Sequence, residues 1–287
     1  MKIKYASILV ALILSVGLNG LAISQDFDLV SMISPPENIT DPEKAKSQAI
    51  KNLDEAIDPL LDLFGFYTGG GLYHSAKVHG LGGFDVGIRI ITMMISEDQK
   101  PDLPYPQYEG FKPAQGGVFR NIELMPLPVL QVSVGLPGNV EATGRFFTYP
   151  IGEDEKEGNI TLIGLGVKYG LLQNMVLPKV SIVGAYHFLN VPEEFDFGSV
   201  SSLSAALVVS KGFPFIDIYG GLGVDFNKLE VDLELPGLGP VTKKYEKSNF
   251  RGNLGFKFKP IPLLFIHADY NFGGVQGFNV GLGLSFR

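Results

Sequence analysis

Apolar and small or polar residues alternate strictly along the last segment of the chain. One set of alternate positions carries apolar side chains: Phe278, Val280, Leu282, Leu284 and Phe286. The residues between them are Gly277, Asn279, Gly281, Gly283 and Ser285. Because successive side chains of a β-strand point to opposite faces, this period of two predicts a strand with one apolar and one polar face.

The same period recurs along most of the chain after residue 65. It predicts about twelve strands, with a range of ten to fourteen, and an even number is usual for single-chain barrels. The predicted strands lie near residues 66–75, 83–95, 118–125, 129–136, 139–149, 159–171, 180–188, 199–210, 216–226, 250–258, 264–272 and 278–286. The segments near 66 and 118 have the weakest alternation, so ten strands remain an alternative.

A helix is predicted before the first strand, from Asp41 to Phe64. Asp41 can cap its N-terminus, Pro42 suits its first turn, Pro59 is expected to kink it and Gly65 to end it. Apolar residues recur at helical spacing and form one face, which includes Ile50, Leu53, Ile57, Leu60 and Leu61. The face is too large to remain in water, so we expect it to dock in a barrel lumen or at the periplasmic mouth and act as a gate. A periplasmic helix that contacts another envelope protein is the alternative.

The first residues predict export. Lys2 and Lys4 precede a short apolar core, and Ala22 and Ser24 fit a cleavage site before Gln25. The predicted organisation is a signal peptide at 1–24, a polar segment with the helix at 25–65, and an all-β domain at 66–287.

Composition indicates whether the predicted strands belong to a membrane protein or to a soluble one. Only 18% of the residues are charged, yet no segment after the signal has the run of about twenty apolar residues that a membrane-spanning helix needs. A chain that spans a membrane with strands must close them into a barrel, because lipid cannot pair free backbone groups. The non-apolar face is mostly Gly, Ser and Asn, which suits a lumen and leaves the apolar face for lipid. A soluble all-β fold is the alternative.

Charged residues of both signs fall on the predicted lumen face. They are Asp85, Arg89, Glu141, Arg145, Lys168, Asp217, Asp225, Arg251, His267 and Asp269. Such residues either form a selectivity constriction or pair across strands and fill a narrow lumen. The sequence leaves both interpretations open.

The sequence favours no enzyme and no cofactor. His187 and His267 are candidates for a base, with Ser181 or Ser285 as nucleophile, but nothing local in sequence pairs them. Four scattered histidines and no cysteine do not predict a metal site. The formal net charge of −7 does not favour nucleic acid as a partner.

The export signal, the alternating strands and the last strand together resemble the bacterial outer-membrane β-barrel superfamily. The resemblance implies an antiparallel transmembrane barrel in a Gram-negative outer membrane, surrounded by lipid and inserted by the barrel-assembly machinery. Phe278, Val280, Leu282, Leu284 and Phe286 resemble the signal that this machinery reads, although Arg287 rather than an aromatic residue ends the chain. The C-terminal end of the last strand would then face the periplasm.

Two further resemblances concern the segment before and around the first strands. Residues 66–90 are similar to an uncharacterised family known only as a domain of unknown function, which implies no activity. A helix before a barrel also resembles the long-chain fatty acid transporters, although the chain is short for that family. We therefore expect passive transport of a small solute, with an apolar solute as one option, through a partly plugged lumen. An envelope-structural or surface-binding barrel with a closed lumen is the alternative.

Overall fold

A computed structural model describes residues 39, 41–96, 123–151, 158–174, 176–190, 198–235 and 239–286. These residues form one helix and ten strands. The elements are α1 Pro42–Gly69, β1 Phe84–Met94, β2 Leu124–Leu136, β3 Val140–Ile151, β4 Gly158–Leu172, β5 Lys179–Asn190, β6 Gly198–Gly212, β7 Ile216–Leu235, β8 Gly239–Ile261, β9 Leu264–Gly273 and β10 Gln276–Phe286. The export signal and its cleavage site lie outside the described residues.

The ten strands form a closed antiparallel barrel. Each strand pairs with its neighbours in sequence, and β1 also pairs with β10, with Phe84 opposite Phe286 and Met94 opposite Gln276. The structure therefore confirms the all-β antiparallel barrel with an N-terminal helix and has ten strands, the lower end of the expected range.

Two of the twelve predicted strands were wrong as separate strands. Residues 66–75 end the helix and continue inside the lumen, and the first strand begins at Phe84. Residues 124–136 form one strand where the sequence predicted two, at 118–125 and 129–136, and residues 118–122 lie outside the described residues. The part of β2 that holds Pro126 and Pro128 pairs with β1 alone, because the pairing with β3 begins at Leu130. A residue without an N–H is tolerated where one side of the strand has no partner.

The barrel has two unlike ends. Strands β2, β4, β6 and β8 end, and β3, β5, β7 and β9 begin, at the end of the barrel that also holds Phe286; we call it the short-turn end. At the other end, which we call the long-loop end, β1, β3, β5, β7 and β9 end and the strands that follow them begin. There β7 and β8 extend to Leu235 and Gly239.

The outer face carries a belt of exposed apolar side chains. Leu165, Leu254 and Leu282 are 66%, 63% and 54% exposed, and most outward positions of the other strands are apolar as well. Beyond Phe226 the outward positions of β7 become Lys228, Glu230 and Asp232. The apolar residues of β7 thus change from outward to inward positions, because the inward-facing Leu229 and Val231 pack on the helix.

Helix α1 begins as predicted and ends later than predicted. The Asp41 side chain accepts hydrogen bonds from the backbone N–H groups of Glu43 and Lys44, and Pro42 is the first helical residue. The helix continues through Gly65 to Gly69. A Cβ at Gly65 would overlap the Asn227 side chain at 2.1 Å, so this glycine permits close contact with β7 and does not end the helix.

Candidate functional site in the barrel lumen

The N-terminal segment passes through the lumen from one end to the other. Near the long-loop end, Asp54 of α1 accepts hydrogen bonds from Lys243 and Tyr245 on β8. Near mid-barrel, the Thr68 hydroxyl donates to Ser202 at 2.9 Å. Residues 70–83 then run to the short-turn end and lead into β1. The lumen is one of the two docking places expected for the helix, and it is the one that the structure shows.

An apolar collar on the barrel surrounds the helix. Nine buried residues of α1 contribute to this cluster: Ala49, Leu53, Ile57, Leu60, Leu61, Leu63, Phe64, Phe66 and Tyr67. The barrel contributes Ile91, Met93, Ile95, Met125, Leu127, Val129, Ile160, Leu162, Val200, Leu229, Val231, Val241 and Val275. Of the predicted gate residues, Leu53, Ile57, Leu60 and Leu61 are buried in the cluster and Ile50 packs against it.

A barrel arginine holds the C-terminal end of α1. The helix has no basic residue in its last turn, so its terminal carbonyl groups need donors from elsewhere. Arg145 of β3 donates to the carbonyl oxygens of Thr68 at 2.7 Å and Gly70 at 2.9 Å. A buried cation at this position also complements the negative end of the helix dipole.

Acidic residues of α1 bind the basic inner face of the β8 extension. Lys247 contacts Asp58 at 2.7 Å and Asp62 at 2.9 Å. Partial burial acts to lower the pKa of Lys247, but hydrogen bonds to the two carboxylates outweigh it and raise the pKa. Burial and the hydrogen bond to Asp54 raise the pKa of Tyr245. Polar contacts therefore fasten the helix beyond the apolar collar.

All ten charged or histidine side chains predicted for the lumen are buried inside the barrel. Several form pairs, which are Lys168 with Glu141 at 2.8 Å, Arg251 with Asp225 at 3.1 Å, Arg89 with Asp85 at 3.6 Å and Lys259 with Asp217 at 2.5 Å. These paired charges line the lumen around the N-terminal segment.

Asp269 and His267 belong to a connected network below the helix. Tyr219 donates to Asp269 at 2.8 Å, and Asn271 and Asn279 donate to the same carboxylate. His267 lies 2.7 Å from the Arg89 guanidinium. These side chains come from four strands, and the rings of Tyr219 and His267 contact Tyr73 and His74 of the segment 70–83.

Histidines 74 and 79, which the sequence analysis did not single out, lie on the lumen segment. His79 Nδ1 lies 2.7 Å from Glu141 Oε2, and its Nε2 lies 3.1 Å from Ser285 Oγ. Ser285 was a candidate nucleophile, but its histidine neighbour is neither His187 nor His267. Those two face Arg145 and Arg89.

A cavity of about 320 Å³ opens beside this histidine at the short-turn end. Its polar lining is His74, Ser75, Lys77, His79, Asp217, Lys257, Lys259 and Ser285, and its apolar lining includes Phe215, Ile261, Leu263 and Phe265. Among the described residues, no group of three or more His, Asp or Glu side chains could hold a metal ion. The helix that the structure describes is not long and apolar enough to cross a membrane.

The comparison with protein families gives a match over most of the barrel. A family of unknown function, DUF6588, matches residues 101–286. The chain belongs to this family. The match does not include residues 66–90, on which the sequence analysis based its resemblance. Membership of DUF6588 implies no activity, because it is a family of unknown function. No curated protein matches the sequence.

Solved structures similar to this DUF6588 member are barrels. The Yersinia pestis attachment invasion locus protein Ail is 14% identical, covering 73% of this chain and 99% of that chain, with a TM-score of 0.30. The barrel domain of Pseudomonas aeruginosa OprF is 14% identical, covering 51% and 96%, with a TM-score of 0.31. The translocator domain of NalP from Neisseria meningitidis is 11% identical, covering 85% and 98%, with a TM-score of 0.36. The barrel assignment itself rests on the strand pairing of this chain.

Proposed function

We propose that this protein is an outer-membrane β-barrel whose lumen is closed by its own N-terminal segment. The observation that carries the proposal is the path of residues 42–83, which enter at the long-loop end and leave at the short-turn end. Closure in this form favours the envelope-structural or surface-binding alternative over an open diffusion pore.

The outer face supports placement in a lipid bilayer. Soluble monomers rarely expose a continuous apolar patch larger than a few hundred Å², whereas apolar side chains surround this barrel. Phe278, Val280, Leu282, Leu284 and Phe286 all point outward, as an assembly signal on the lipid face requires. With the C-terminal end toward the periplasm, the charged extension of β7 and β8 projects to the exterior.

The packing of α1 supports a resident plug. Burial of one large apolar side chain contributes about 1.5 to 3 kcal/mol, and nine residues of the helix lie in the apolar cluster. Removal of the whole helix would therefore cost on the order of ten kcal/mol or more. A thermal fluctuation does not supply that energy, so the resting protein should not conduct.

Reconstitution into planar bilayers tests closure. The intact protein should show no stepwise conductance, and a variant that lacks residues 26–82 but keeps the signal should conduct, because the lumen loses the whole segment that occupies it. An intact protein that conducts as well as the deletion variant would overturn the proposal.

Gated transport of a small solute is the second candidate, favoured by the joint below the helix. Gly70 and Gly71 follow α1 directly, and Gly71 has a φ of 62°, a conformation that glycine adopts without strain. A hinge here would let part of the plug move without unfolding the barrel. Channel openings that appear only above a threshold voltage, and not at lower voltages, would favour this candidate.

A further inference from the structure

Three side chains that are distant in sequence form a hydrogen-bonded row at the short-turn end. Ser285 Oγ lies 3.1 Å from His79 Nε2, and His79 Nδ1 lies 2.7 Å from Glu141 Oε2. The histidine and the glutamate are 7% and 3% exposed. A hydroxyl, an imidazole and a carboxylate in this order are the parts of a serine-hydrolase triad.

The carboxylate selects the tautomer that the reaction needs. A carboxylate only accepts hydrogen bonds, so Nδ1 of His79 carries the proton that it donates to Glu141, and Nε2 faces the Ser285 hydroxyl as the acceptor of its proton. The backbone N–H of His79 also donates to Glu141 at 3.0 Å. Lys168 binds the other oxygen of Glu141 at 2.8 Å. Glu141, which orients the imidazole, therefore has a bonding partner on each of its two carboxylate oxygens.

The hydroxyl and the imidazole both line the cavity of about 320 Å³. Phe215, Ile261 and Leu263 give it an apolar rim, while the ammonium of Lys257 is its most buried cation. Lys257 is 5% exposed and lies over the Phe265 ring at 4.3 Å. Within the described part of the chain, no carboxylate or other acceptor bonds its ammonium, so its charge is available to a ligand.

The backbone at the cavity is strained next to the serine. Leu263 has a φ of 78°, which is unfavourable for a residue with a side chain, and its carbonyl oxygen accepts the backbone N–H of Ser285 at 2.6 Å. This positive φ belongs to the two-residue turn between β8 and β9, and the turn fixes the backbone of Ser285 at the cavity.

We propose that this cavity is a hydrolytic site for small carboxylic esters, with Ser285 as nucleophile, His79 as general base and Glu141 as the positioning residue. The apolar rim would take the acyl chain, and Lys257 would stabilise the negative charge that develops on the carbonyl oxygen.

The reaction needs only the ester and water. Ser285 Oγ bonds to the carbonyl carbon while its proton passes to His79 Nε2. The bond to the alcohol oxygen then breaks, and the alcohol leaves with that proton. Water attacks the acyl-serine and gives a proton to His79, which returns it to Ser285 as the carboxylic acid departs. The lumen need not open for this reaction, so the inference does not depend on the proposed function.

Covalent labelling tests the nucleophile directly. The folded protein in a neutral detergent should react with a fluorophosphonate probe at Ser285, as located by peptide mass spectrometry, and Ser285→Ala should abolish the label. Ser133→Ala is the matched control, because Ser133 and Ser285 are the two register partners of Asp85 but Ser133 bonds Thr143 instead of a histidine. That control should label like the wild type.

The rate of p-nitrophenyl butyrate hydrolysis distinguishes the roles of His79, Glu141 and Lys257. His79→Gln should lower kcat by about 10²- to 10⁴-fold. Glu141→Gln should lower kcat by at least about 10²-fold with KM nearly unchanged, because substrate contacts remain and only the imidazole loses its orientation. Lys257→Met should lower kcat at least about tenfold, because the developing oxyanion loses the charge that stabilises it.

Folding of each variant is checked by the gel shift between unboiled and boiled samples. If Glu141→Gln does not fold, Ser285→Ala and His79→Gln test the proposed hydrolytic site without it, since each of these substitutions removes little buried volume or charge. No label on Ser285 in the folded wild type, or a label that survives in His79→Gln at the wild-type rate, would overturn the proposal.

Discussion

The Arg145 guanidinium lies at the C-terminal end of α1 and donates to the carbonyl oxygen of Thr68 at 2.7 Å. A barrel strand thereby supplies the cation that the helix lacks in its own last turn. Arg145→Gln should destabilise the folded protein by about 1.5 to 3 kcal/mol, the range for a hydrogen bond to a charged group. The temperature at which the folded gel band is lost measures this. Lys179→Gln, which removes a charge whose only side-chain hydrogen bond among the described residues is a 3.4 Å contact to the carbonyl oxygen of Asn174, should leave that temperature nearly unchanged.

The outward position of Leu282 gives a second prediction. The side chain is 54% exposed on the apolar belt, so Leu282→Arg should oppose membrane insertion by about 2 to 4 kcal/mol if it lies near the bilayer midplane. Folding yield into lipid vesicles measures the effect. Thr242→Arg on the charged outer face of the β8 extension should fold with nearly normal yield, and equal losses for both variants would contradict the lipid-facing assignment.

Gly281 faces inward beside Leu282 and has no room for a side chain. A Cβ there would lie 2.1 Å from Nε2 of the fully buried His267, which also contacts Arg89. Gly281→Ala or Gly281→Ser should therefore destabilise the barrel by about 1 to 3 kcal/mol. Gly144→Ala is the control, because nothing lies within 4 Å of its added Cβ. Urea unfolding of the two alanine variants compares them, and equal midpoints would contradict the assigned packing.

Tyr245 should make helix docking sensitive to high pH. Burial and the hydrogen bond to Asp54 raise its pKa above the ordinary value of 10.0, so its contribution is complete below pH 10 and is lost as the pH rises further. Above pH 10 the free energy of unfolding should fall by less than about 1.4 kcal/mol per pH unit, since the half-buried side chain is partly screened. Tyr245→Phe should be less stable by about 1 kcal/mol below pH 10. The difference between the two proteins should shrink between pH 10 and 11, and a constant difference would contradict the assignment.

The alternation of residue types predicted most of the strands, but it could not predict the lumen segment. Phe278 to Phe286 alternate because one side of β10 is exposed and the other is inside the barrel. Residues 66–76 are all buried, so no exposed polar face marks their conformation, and the sequence analysis placed a strand at 66–75. A helix that is apolar all round is typical of a buried element.

The candidate site, too, could be predicted from the sequence only in part. Strand phase predicted that Glu141 and Asp85 face the lumen, because that information is local. The hydrogen bond between His79 and Ser285 joins residues 206 positions apart. It depends on how the lumen segment reaches the short-turn end and on which strand closes the barrel. Neither follows from the pattern of a single segment.

A reversible cross-link between the plug and the wall tests closure most directly. The chain has no cysteine, and the hydroxyl oxygens of Thr68 and Ser202 are 2.9 Å apart, so the double variant Thr68→Cys and Ser202→Cys can tether α1 to β6. Single-channel recordings of this variant should show no stepwise conductance, whether the tether is oxidised or reduced. Stepwise openings in the reduced protein that disappear on oxidation would contradict a permanently closed lumen.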